Sequence, residues 1–135
     1  MTAKARWPLI MKKPFYVKTA LIMYFVSLAI SFVVSIYNYW ILEPNPSFFI
    51  VLLSWVSFFG FALFLGFKMG SKKNWARILY TVFSIFSLAT YLFVDMESQI
   101  VSEIERVFLF LNNFVLVATL ILLYMPSSNN WFKSD

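Results

Sequence analysis

Residues 19–42 read TALIMYFVSLAISFVVSIYNYWIL, with no charged side chain between Lys18 and Glu43. As an α-helix rising 1.5 Å per residue, this run is roughly 36 Å long, enough to cross a hydrocarbon core about 30 Å thick. Three more apolar runs follow, from Phe48 to Phe67, from Trp75 to Val94 and from about Glu103 to Tyr124. The whole chain of 135 residues is 61% hydrophobic, 21% aromatic and only 13% charged, too apolar for a water-soluble globule. With so little sequence left between the runs, residues 1–135 are expected to form a single transmembrane domain.

All five prolines (Pro8, Pro14, Pro44, Pro46 and Pro126) lie outside these spans, where a missing N–H costs no helix hydrogen bond. The first two spans are joined only by Glu43, Pro44, Asn45, Pro46 and Ser47, so they are expected to be antiparallel neighbours in a transmembrane hairpin. Ser102 followed by Glu105 fits a capping box and, with Glu103 near the positive end of the helix dipole, marks the start of the fourth helix. The fold expected is an all-α membrane protein, four transmembrane helices in an up-down-up-down bundle.

The basic residues set the orientation. Lys4, Arg6, Lys12, Lys13 and Lys18 precede the first span, Lys68, Lys72, Lys73 and Arg77 surround the second turn, and Lys133 follows the last span. The opposite side carries Arg106 alone among basic residues, with Glu43, Asp95, Glu97, Glu103 and Glu105. By the positive-inside rule both termini are cytoplasmic. The early basic residues followed by an apolar run are reminiscent of a signal peptide, but the run is long, without a clear cleavage site, and reads as a retained anchor. The net charge of +5 is carried by short segments flanking apolar spans, which points to anionic lipid headgroups on the cytoplasmic side and not to nucleic acid.

Aromatic residues cluster at both expected interfaces. Tyr37, Tyr39, Trp40 and Tyr91 lie at one, and Trp7, Tyr16, Trp75, Tyr124 and Trp131 at the other, positions that suit headgroup anchors. Before the first span, Trp7, Leu9, Ile10, Phe15 and Tyr16 alternate with basic residues and read as an interfacial arm.

Small residues recur at helical spacing. Ser27, Ser31 and Ser35 lie four apart on the first span, and Ala62, Gly66 and Gly70 do so on the second, two candidate helix-packing faces. A second pattern emerges from depth. Ser35 and Asn38, Ser54 and Ser57, Ser87 and Thr90, and Asn112 and Asn113 all fall roughly 5 to 13 Å inside the outer boundary at 1.5 Å per residue. This polar layer either lines an outward-opening cavity or joins the helices by hydrogen bonds. The stretch Asp95 to Arg106 groups Asp95, Glu97, Glu103 and Glu105 as a solvated loop; without nitrogen or sulfur ligands or calcium-loop spacing it holds no metal, but it offers a surface to an extracytoplasmic partner.

Chemistry is sparse. The chain has no cysteine and no histidine, which removes disulfides, thiol nucleophiles, imidazole bases and the commonest zinc, copper and haem ligands. No catalytic residue, metal ligand or cofactor site is identified, and an enzyme is not expected, because no base stands near a serine of the spans.

The turn Gly70, Ser71, Lys72, Lys73, Asn74, Trp75, Ala76, Arg77, in which NWAR opens a helix, resembles an element of small bacterial four-span inner-membrane proteins. The close of the chain, Leu123 to Phe132, is similar to their ending, an apolar run meeting Pro-Ser and then Trp-Phe. The resemblance implies a bacterial inner membrane. On the residues alone, Asn74 is a good N-cap, Trp75 suits the interface and Arg77 can snorkel toward phosphates.

Two functional classes follow. One is a non-enzymatic accessory protein, or a protective one similar in size to bacteriocin or toxin immunity proteins, acting through helix or loop contacts with a membrane protein partner or a second copy of itself. The other is a small transporter or channel subunit for a neutral polar solute, using the polar layer as its path. In length and span count the chain resembles small multidrug transporters, but its first helix carries no intramembrane Glu and its charge bias opposes dual topology.

Overall fold

The structure, a computed structural model, describes residues 13–41, 47–94 and 103–134. Helices α1 (Phe15–Ile41), α2 (Phe48–Gly70), α3 (Asn74–Val94), α4 (Glu103–Leu123) and α5 (Pro126–Lys133) follow in order. The first four are long and apolar enough to cross a membrane. Each packs on its neighbour in sequence, and α1 packs most extensively on α4, closing the ring of an all-helical four-helix bundle. Large apolar side chains point outward around it, among them Phe49, Phe67, Phe93 and Trp40. Such a surface is stable only against lipid, and the chain is a multi-pass membrane protein.

α1 begins at Phe15, straight after Pro14, whose carbonyl accepts a hydrogen bond from the Lys18 N–H at 3.0 Å. Phe15 and Tyr16 therefore belong to the first turn of α1 and not to a separate arm; Trp7, Leu9 and Ile10 lie outside the described residues. The Glu43–Pro46 connection and Ser102 of the capping box lie outside them too.

The turn between α2 and α3 is a Schellman motif. The Lys73 N–H bonds Lys68 O at 3.0 Å and the Lys72 N–H bonds Met69 O at 3.1 Å, satisfying carbonyls that the helix end leaves free. Lys72 holds the left-handed position, with φ 65°. At the start of α3, the Asn74 side-chain oxygen is buried without a partner, so the expected N-cap bond is not made; the Ala76 N–H bonds Lys73 O instead.

The end that carries Lys13, Lys18, Lys68, Lys72, Lys73 and Lys133 is called the basic end below. Its packing is tight. Val17, Ala20, Leu21, Tyr24, Leu65, Met69, Ala76, Leu123, Trp131 and Phe132 form one buried cluster there. Toward the far end, α1 and α2 stay closed through ring pairs, Phe32 with Phe59 at 4.9 Å and with Trp55 at 6.0 Å, and Tyr39 with Trp55 at 5.8 Å and with Phe48 at 5.9 Å.

The two small-residue faces do not meet each other. Gly66 lies under the α1 rings, where an added Cβ would stand 2.7 Å from both Phe25 Cζ and Tyr24 Cε1. Ala62 offers its carbonyl to the Tyr24 hydroxyl at 2.6 Å, and Gly70 has Leu21 Cδ1 at 3.6 Å from its would-be Cβ. The serine face turns to α4 instead, where the Ser27 hydroxyl donates to Asn112 Oδ1. Close approach is thus needed at Gly66 but not at Gly60, whose would-be Cβ meets nothing within 4 Å. Gly66→Ala is expected to destabilise the bundle by about 1–3 kcal/mol. Gly60→Ala should be neutral or stabilise by up to about 1 kcal/mol. Thermal unfolding of the purified chain in detergent compares the two.

Candidate functional site

At the basic end α3 is tied to α4 and the residue after it by Arg77 with Leu123 O and Thr81 with Tyr124, and beyond these bonds a cavity of about 650 Å³ lies among the four helices. Its floor is Tyr24 of α1, Leu65 of α2 and Tyr80 of α3, with the Tyr24 and Tyr80 rings edge to face at 5.1 Å. Phe58 and Phe61 of α2 and Phe83 and Phe86 of α3 wall it, and Leu109 and Leu116 line the α4 side. Among these rings, Phe61 and Phe83 pack at 5.9 Å. Among the described residues no charged side chain lines the cavity.

Part of the polar layer reaches it. Ser87, Thr90, Asn112 and Asn113 all line this cavity, together with Ser84 and Tyr91. The Thr90 hydroxyl donates to Phe86 O at 2.9 Å within its own helix. Asn112 has its side-chain oxygen engaged by Ser27, which leaves its amide hydrogens for other acceptors. Ser84, beside Tyr80 and Thr119, is buried and its hydroxyl has no hydrogen bond of good geometry. Tyr91, one of the aromatic residues expected at the interface, also lines the cavity.

The α1 members of the layer go elsewhere. Ser31, Ser35 and Asn38 line a second, smaller cleft of about 270 Å³ where α1 and α4 meet, with Asn112 between the two spaces. The Ser35 hydroxyl donates to Ser31 O at 2.8 Å. Glu105 lines this cleft as well, whereas Arg106 is exposed. Asp95 and Glu97 lie outside the described residues, as does the Glu103 side chain. Ser54 and Ser57 join neither space; both are exposed on α2, and Ser54 donates to Ile50 O at 2.9 Å.

The basic end is closed by Arg77, which does not snorkel to phosphates. It is only 3% exposed. One guanidinium nitrogen donates to Leu123 O at 3.1 Å and to Asn129 Oδ1 at 2.7 Å. The guanidinium carbon lies 4.5 Å from the Tyr124 ring centre and 4.6 Å from that of Phe132. Among the described residues no carboxylate takes part in these contacts; the last carbonyl of α4, the Asn129 amide oxygen and two ring faces supply the negative potential. Helix α5 completes the clasp, with Ser128 bonding Leu122 O at 2.7 Å and Asn129 Nδ2 bonding Tyr124 O at 3.0 Å. Trp131 is 4% exposed, a core residue and not a headgroup anchor.

Set against family models, curated proteins and solved structures, the chain finds no match in any of the three. What stands is a four-helix membrane bundle, tight at the basic end and hollow beyond it. Arg77→Met is expected to cost about 2–3 kcal/mol by orphaning buried acceptors, and to release α5. With no native cysteine, Ser128→Cys gives a single reporter at a fully buried site. It should resist a membrane-permeant maleimide when Arg77 is present and react when Arg77 is replaced.

Proposed function

We propose that the chain is a non-enzymatic multi-pass protein of a bacterial inner membrane, with its basic end and both termini in the cytoplasm, that acts by binding a membrane protein partner in the manner of accessory or immunity-type proteins. The observation that carries this reading is the α1–α4 cleft. Hydroxyls of Ser31 and Ser35 and the amide of Asn38 gather in a furrow on the flank of the bundle, half-buried and open to whatever packs beside it. Polar groups at membrane depth favour a protein neighbour over lipid, since hydrocarbon offers them no hydrogen bond. Glu105 lines the same furrow, and in the sequence it belongs to the acidic stretch with Asp95, Glu97, Glu103 and Arg106, the other surface proposed for a partner. Orientation rests on the Lys/Arg bias. The absence of His and Cys supports binding over catalysis.

A photo-crosslinking side chain placed at Ser31 or Asn38 in the native host should capture one reproducible membrane protein, and the same group at Phe93, 89% exposed on α3, should not. Capture of lipid alone at all three positions would remove this reading.

A second reading, a carrier or channel for a neutral polar solute, is favoured by the main cavity. The cavity is blind toward the basic end, however, where Met69, Ala76 and Leu123 are fully buried and Arg77 fills the remaining space. Liposomes containing the chain are accordingly expected to hold small polar solutes such as glycerol as well as empty liposomes do. A protein-dependent leak in a light-scattering assay would make the carrier the better reading.

A further inference from the structure

We infer that the main cavity is a binding site for an uncharged, ring-bearing lipophile whose carbonyl groups accept hydrogen bonds, the chemistry of a lipid-soluble quinone. This goes beyond the partner contact proposed for the α1–α4 furrow and uses a different wall of the bundle.

Depth is the first argument. At 1.5 Å per residue, Asn112 and Asn113 lie about 13–15 Å from the far end of α4 and Ser87 about 10 Å from that of α3, in helices roughly 31 Å long. These polar groups therefore lie a third to a half of the way along their helices, within the hydrocarbon. The headgroup and ester carbonyls of a phospholipid stay at the interface and do not reach them. The ligand must be soluble in the hydrocarbon itself.

Charge is the second. Among the described residues no ionisable acid or base lines the cavity apart from tyrosine, so at the depth of Asn112 and Ser87 an uncharged ligand is favoured over an ionic one by desolvation. Hydrogen-bond polarity is the third. Asn112 spends its oxygen on Ser27 and keeps its amide hydrogens, and Asn113 and Ser87 add further donors along the same side. A ligand that brings carbonyl oxygens matches this set.

Shape is the fourth. Phe58, Phe61, Phe83 and Phe86, with Tyr24 and Tyr80 at the floor, give ring faces and edges on several sides, which suits a flat ring better than a flexible acyl chain. The volume of about 650 Å³ is in the range of sites for drug-sized ligands. It takes a substituted quinone ring and the first part of its tail. The exposed rings of Phe58 and Phe86 set the edge of the cavity against lipid, where the rest of the tail can run.

The test uses the full chain in nanodiscs of zwitterionic lipid and titrates decylubiquinone while quenching of intrinsic tyrosine and tryptophan fluorescence is followed. Saturable quenching at about one quinone per chain is expected, above the linear background of empty-cavity controls. Asn113→Leu and Ser87→Ala should each raise the apparent Kd, by about tenfold for the amide. Ala62→Phe, which fills the cavity, should abolish saturation, and Ser54→Ala, outside the cavity, should change nothing. Since Ala62→Phe risks misfolding, its helicity is checked by circular dichroism, and the two polar variants carry the test if it fails. Purely linear quenching overturns the inference. So does unchanged affinity in both polar variants, or displacement of the quinone by decanol at equal concentration, which would mean an apolar pocket without ring or carbonyl selection.

Discussion

The buried guanidinium of Arg77 fixes the architecture at one end and thereby allows it to open at the other. A cation among four apolar helices is costly unless its donors find acceptors and its charge finds negative potential. Here both come from the end of α4 and the segment after it: Leu123 O, Asn129 Oδ1, and the faces of Tyr124 and Phe132. One side chain on α3 thus determines where α4 stops and how α5 folds back. Thr81 extends the same seam, its hydroxyl 2.7 Å from that of Tyr124. Once these contacts have joined α3 to α4 at the basic end, nothing comparable among the described residues joins them further on, and the cavity is the consequence.

The other helix pairs show why only this seam opens. α1 is held to α2 along its length by ring pairs, from Phe25 with Phe67 to Tyr39 with Phe48. It is held to α4 by the serine face and the Ser27–Asn112 bond. Bulky rings and small residues are both effective, because each permits dense packing where lipid gives no hydrophobic drive for helix association. On the far half of α3, Leu92 and Phe93 point outward, which leaves Ser87, Thr90 and Tyr91 toward an incompletely filled interior.

Much of the fold is legible in the sequence, because length, hydropathy and proline placement act along one dimension. The four helices are such features. Helix α5 is not: Pro-Ser-Ser-Asn-Asn contains poor helix formers, and eight residues are too few to hold a helix in isolation. It exists because Trp131, Phe132 and Ser128 are buried against α1 and α4, a tertiary cause with no local signal. The polar layer divides in the same way. Depth can be counted from a span end, but rotation about the helix axis cannot, so Ser54 and Ser57 share the depth of Ser87 and Asn113 while facing outward. The spacing of Gly66 and Gly70 announces close approach without naming the partner, which proves to be the large rings of α1 and not its serines. Arg77 reads as a snorkelling residue because its position near a span end is visible and the returning α5 is not.

The distribution of charge bears on which kinds of work the bundle can do. A carrier driven by an ion gradient needs a group within the membrane whose charge changes during the cycle, and the described spans keep their one deeply buried cation locked between two rings and a helix end. Freeing it would break the clasp that holds α3, α4 and α5 together. An alternating cycle that opened the basic end would also have to separate Met69, Ala76 and Leu123, all fully buried, so the cost would fall on the best-packed part of the molecule. The free space lies in the other half, where the cavity is found. The densest packing and the one deeply buried cation of the described spans thus share one end, and the described lining of the hollow in the other half carries no charge.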